Sequence, residues 1–126
     1  MTATISKLAN VIIPAADQDR VVAFYTDVLG FEKRVELPFG DGNRWIEVAP
    51  RGAETPIAIC PPGPNTTPGG KETGISLATD DIEGLHARLQ EHHADVDAEI
   101  SRFGDVPPIF WFRDPEGNSL MAVQVP

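Results

Sequence analysis

A chain of 126 residues, 41% of them hydrophobic, has material for one buried core and not for two independent ones. No apolar run reaches the length of a membrane span, and residues 1–10 lack the pattern of a secretory signal, so the cytoplasm is the expected compartment. With 19 acidic against 10 basic residues the net charge is −9, a field that repels nucleic acid and attracts cations, and the lone Cys60 excludes an internal disulfide.

Leu8–Ile13 is a β-branched apolar run that stops at Pro14 and predicts the first strand. Asp17 then opens a helical stretch in which Val21, Phe24, Tyr25, Val28 and Leu29 recur at helical spacing, and Gly30 closes it. Strands are expected at Phe31–Leu37, Arg44–Val48 and Pro56–Cys60, with Phe39–Asn43 as the turn between the first two. The Pro/Gly-rich segment 61–70 can form neither helix nor central strand, and it reads as a linker.

The second half repeats the pattern about 64 residues later. Ile75–Thr79 is the strand, and Asp80 and Asp81 start the second helix, with Glu83 spaced from Asp80 as in a capping box. Ile82, Leu85 and Leu89 form its apolar stripe. Strands follow at Val96–Ile100, Ile109–Arg113 and Ser119–Val123, and the turn sequence 114–117 joins the last two. Each half therefore reads β-α-β-β-β. The fold class is α+β in a single domain, with module one over residues 5–60, the linker over 61–72 and module two over 73–125.

Two motifs carry a resemblance. Residues 23–31, AFYTDVLGF, resemble the first-helix signature of the vicinal oxygen chelate superfamily, which holds glyoxalases, bleomycin resistance proteins and extradiol dioxygenases. Residues 112–118, FRDPEGN, resemble its final hairpin. The resemblance implies two β-α-β-β-β modules forming curved mixed sheets around a cavity, with helices on the convex side and a homodimer as the usual assembly.

Enzymes of that superfamily hold a divalent metal through four strands. The matching positions here are Asn10, Ala58, Gly74 and Met121. Ala58 and Gly74 carry no donor, Met121 offers a soft thioether, and one amide oxygen from Asn10 holds no divalent ion alone. Neither a metal nor another cofactor is expected, which places the chain in the metal-ligand-lacking branch. His86, His92 and His93 fall on or just after the second helix and read as surface or helix-end residues, with the adjacent pair on different helix faces.

Strand parity then sorts the remaining residues. With Val11, Ile13, Ile57, Ile59, Ile75, Leu77, Leu120 and Ala122 under the helices, the alternate positions face the cavity. These include Asn10, Ser76 and Met121, and the hairpin geometry that the resemblance implies adds Trp45, Glu47, Ile109, Trp111 and Arg113; together they are the candidate ligand-binding residues, an apolar aromatic wall with few polar groups. Two functions stay open. One is metal-independent binding or sequestration of a small organic molecule, planar or cationic, as in the resistance proteins. The other is a glyoxalase- or dioxygenase-like enzyme acting on a small carbonyl or aromatic compound, with Glu47 as base and Arg113 or Asn10 holding an oxyanion. The weight lies with binding. No nucleic acid and no membrane is expected as partner.

Overall fold

The computed structural model describes residues 3–70 and 72–126. Strand β1 (Val11–Pro14) pairs in parallel with β4 (Ile57–Cys60), and it is shorter than the apolar run that predicts it. Pairing starts where Val11 N–H donates to the Pro56 carbonyl at 3.1 Å, and β4 offers no partner before that residue. Leu8 and Ala9 therefore lie outside the strand and exposed. Strands β2 (Glu32–Pro38) and β3 (Arg44–Ala49) complete a four-stranded sheet in the order β1-β4-β3-β2.

Helix α1 (Gln18–Ala23) starts on the Asp17 side chain and continues as a π-helical turn over Phe24–Val28. Gly30, at φ +79°, ends it as the sequence predicts, and Phe31 N–H reaches back to the Tyr25 carbonyl at 2.9 Å. α1 lies on the first sheet, fixed there by the buried Gln18. Its amide donates to the carbonyls of Ile59 (2.9 Å) and Arg44, and its oxygen accepts from Arg44 N–H (3.1 Å).

The second module repeats the plan with β5 (Glu72–Thr79), α2 (Ile82–Glu91), β6 (Asp95–Val96), β7 (Ile109–Arg113) and β8 (Ser119–Gln124). Its sheet runs β5-β8-β7-β6. The expected α+β class and the two mixed four-stranded sheets are both present. Two local expectations are corrected. The cap of α2 is Asp81, whose carboxylate accepts from Gly84 N–H at 3.0 Å, while Glu83 turns outward to Arg102 and makes no capping box. The strand expected over Val96–Ile100 ends at Val96, because the Asp97 carbonyl is taken by His86 and its carboxylate by Arg113. The chain rejoins the sheet only at a single bridge between Ser101 and Ile109.

One core holds both modules. It gathers Ile13, Ile46, Val48, Ile57 and Ile59 from the first sheet, Phe110, Phe112, Leu120 and Ala122 from the second, and helix residues between them. Phe24 of α1 packs 6.2 Å from Phe112, and Arg88 of α2 donates to the carbonyls of Val28 and Asp27. The β7–β8 hairpin locks the junction. Glu116 receives the N–H groups of Ala16 (2.7 Å) and Asp17 (2.6 Å), and Asn118 donates to the Pro14 carbonyl at 3.0 Å. Beneath them Tyr25 donates to the buried Asp114 at 3.2 Å. Burial, and then the Asp114 charge, push the Tyr25 phenol well above its ordinary range.

Candidate functional site: two outward sheet faces

Since both sheets turn their helix-side residues into one core, their alternate residues look away from it. On the first sheet the pairing aligns Ile12, Ala58, Glu47 and Val35 in one row and Trp45 with Leu37 in the next. On the second it aligns Ser76, Met121 and Trp111, then Ser119, Arg113 and Asp95. Their strand neighbours Ile46, Val48, Phe110 and Phe112 are buried in the core.

The first face is an aromatic platform with one carboxylate. Trp45 is half-buried and its indole N–H donates to Glu47 Oε2 at 2.8 Å. Phe39, 51% exposed in the β2–β3 turn, sets its ring 5.6 Å from that of Trp45. Ile12 and Leu37 are also exposed large apolar residues, an unusual concentration on one sheet face. Cys60 is buried, and burial followed by the Glu47 charge raises its thiol, so it is a poor nucleophile. Asn10 lies half-buried just ahead of β1.

The second face is narrower in its chemistry. Trp111 and Met121 stand side by side, half-buried, with Ser76 exposed next to them, around a cleft of about 110 Å³. Ile109 is buried. Arg113 is not available to a ligand in the way the sequence suggests. Its guanidinium binds Asp97 at 3.0 Å and Asp95 at 2.9 Å, and these bonds hold its pKa above the ordinary value.

Within the single chain Trp45 and Trp111 line no common cavity among those formed by the described residues. Trp45 lines none of the larger cavities, and Trp111 lines only the small cleft of its own sheet. The largest cavity, about 660 Å³, lies instead between the modules on the helix side, among Val11, Phe31, Ile57, Leu77 and Leu85. A chain on its own therefore presents two outward sheet faces backed by a common core.

The metal positions do not form a metal centre. Ala58 is buried without a donor, Gly74 sits at φ +78° in a bulged stretch of β5, and Met121 borders Trp111. Among the described residues no group of three or more His, Cys, Asp or Glu is placed to hold an ion. The histidines need correction. His86 is a buried residue, edge-on to Phe110 with ring centroids 5.0 Å apart and bonded to the Asp97 carbonyl at 2.7 Å. His92 and His93 line the same cavity beside Arg20, because α2 ends at Glu91 and His93 takes a left-handed φ of 56°. Adjacent residues on a continuing helix would diverge; at a helix stop they need not.

Residues 7–122 match the family described as Glyoxalase/Bleomycin resistance protein/Dioxygenase superfamily. The chain belongs to that superfamily. TnmS3, an antibiotic binding protein from Streptomyces sp. CB03234, is similar in structure, with a TM-score of 0.85, 32% identity, and coverage of 99% of this chain and 100% of that one. A superfamily member from Sphaerobacter thermophilus DSM 20745 superposes with a TM-score of 0.87 at 30% identity, covering 96% and 98% of the two chains. YurT of Bacillus subtilis (strain 168) is 30% identical over 94% of this chain and 98% of its own length. Two features of this glyoxalase/bleomycin-resistance chain escape a reading of its residues alone. Phe39 falls in a turn, and its distance of two residues from Leu37, the partner of Trp45, is the only sign that it joins the platform. The neutralising partners of Arg113, Asp95 and Asp97, flank a strand whose end is not written in local propensity.

Proposed function

We propose that this superfamily member is a metal-independent binding protein for a small planar organic molecule, taken up on the outward faces that carry Trp45 and Trp111. The observation that carries the reading is the first face: a half-exposed Phe39–Trp45 pair beside exposed Ile12 and Leu37, where a monomer gains nothing in stability from leaving apolar area in water. The metal positions support it, since Ala58 and Gly74 carry no donor, and so does the likeness to an antibiotic binding protein at 32% identity over nearly the whole chain.

The site is complete only in a homodimer. One copy supplies the Trp45 face and its partner the Trp111 face, which turns two open half-sites into an enclosed pocket and covers the open edges of β1 and β5. The enzyme reading is weakened by the same geometry. With Glu47 as base the oxyanion would fall to Arg113 or Asn10, and Arg113 is already bound to two carboxylates.

Fluorescence titration of the purified protein with anthracene-9-methanol, a neutral planar probe, tests the proposal. Saturable quenching of tryptophan emission is expected, lost in Trp45→Ala while the far-ultraviolet spectrum stays unchanged. Unaltered titration of that variant would contradict it. Sedimentation at micromolar concentration is expected to give a dimer mass.

A further inference from the structure

We infer that the ligand of this site is a planar organic cation, whose protonated nitrogen is received by Glu47 while its ring lies on Trp45, with the Phe39 ring, tilted 56° from the indole, at its edge. The inference rests on the binding reading above and adds to it the sign of the ligand's charge.

Glu47 is held as an acceptor before any ligand arrives. Trp45 N–H occupies Oε2 at 2.8 Å, which ties the carboxylate to the edge of the indole, and Oε1 takes no hydrogen bond from any described residue. Glu47 enters no ion pair among the described residues either. A half-buried carboxylate with one oxygen pre-bonded and the other open is stabilised by a charged N–H donor, which makes a short, strong hydrogen bond to it. The indole face beside it attracts the same charge through its quadrupole. Both effects act within one ligand width.

The remaining sheet charges exclude the opposite sign. Every lysine and arginine carried by a strand is already paired: Lys33 with Glu36, Arg34 with Glu32, Arg44 with Asp19 and Glu36, and Arg113 with Asp95 and Asp97. An anionic ligand would meet the uncompensated Glu47 and no free strand cation. The net charge of −9 adds a long-range field of the same preference.

Three tricyclic probes of nearly equal size separate charge from shape: 9-aminoacridine as cation, anthracene-9-methanol as neutral and anthracene-9-carboxylate as anion. The wild-type protein is expected to bind the cation at least about tenfold more tightly than the anion. Glu47→Gln is expected to bring the two within about threefold, with the neutral probe as the reference for shape. Glu91→Gln, which removes the same charge from the exposed end of α2, is expected to keep the wild-type ratio. A cation–anion ratio that survives Glu47→Gln, or falls equally in Glu91→Gln, overturns the inference while the binding reading stands. Failure of all three probes to bind wild-type protein removes the binding reading and the inference with it.

Discussion

Trp45 and Trp111 occupy matching strands of the two modules, β3 and β7, yet their neighbours differ in kind. Trp45 stands beside Glu47, a carboxylate with a free oxygen, and beside the exposed ring of Phe39. Trp111 stands beside Met121, and the nearby Arg113 is neutralised by Asp95 and Asp97. A duplicated template thus fixes where a face points without fixing its charge. The helix-side faces show no such divergence, since both feed aliphatic and aromatic residues into one core.

The sharpest contrast lies between neighbours on β7. Phe112→Ala is expected to cost about 3–5 kcal/mol, because the ring is fully buried between Phe24 and Phe110. Trp111→Ala, on the outward face of the same strand, is expected to cost less than about 1.5 kcal/mol. Urea denaturation of the two variants measures both, and equal losses would mean that the outward face is packed. Next in size is the module junction. Asn118→Ala removes donors to the Pro14 carbonyl and Asp114 together with an acceptor for Gly69 N–H, and it is expected to lower stability by about 2–3 kcal/mol. Trp45→Ala is expected to weaken probe binding roughly ten- to a hundredfold, about 1–3 kcal/mol, with a smaller change in melting temperature.

The smallest effect concerns alkaline pH. Tyr25 is the sole tyrosine, and its phenol stays protonated in the fold well above its ordinary value of 10.0. The unfolded chain releases that proton first, so the stability it contributes is complete below pH 10 and is lost as pH rises beyond it. Tyr25→Phe is expected to flatten the fall of melting temperature above pH 10. An unchanged slope would place the titration elsewhere.

The repeat, the two helices and most strands are legible because periodicity and turn residues act locally. Along β3 the buried Ile46 and Val48 alternate with the half-buried Trp45 and Glu47, an alternation that needs nothing beyond the strand itself. The failures are long-range. Asp97 leaves its strand because His86, eleven residues away on α2, takes its carbonyl. Arg113 is silenced by partners 16 and 18 residues distant. Phe24 meets Phe112 across the module boundary, a contact with no trace in either segment alone.

The claim that one pocket needs faces from two copies is open to a subunit-mixing measurement. Trp45→Ala and Trp111→Ala proteins are each expected to bind 9-aminoacridine weakly. Unfolded together and refolded as a mixture, they form heterodimers in which one pocket pairs the intact Trp45 face with the intact Trp111 face, so about a quarter of all sites should regain wild-type affinity. Recovery of that fraction supports the shared pocket, and a mixture that binds no better than the average of its two parents would contradict it.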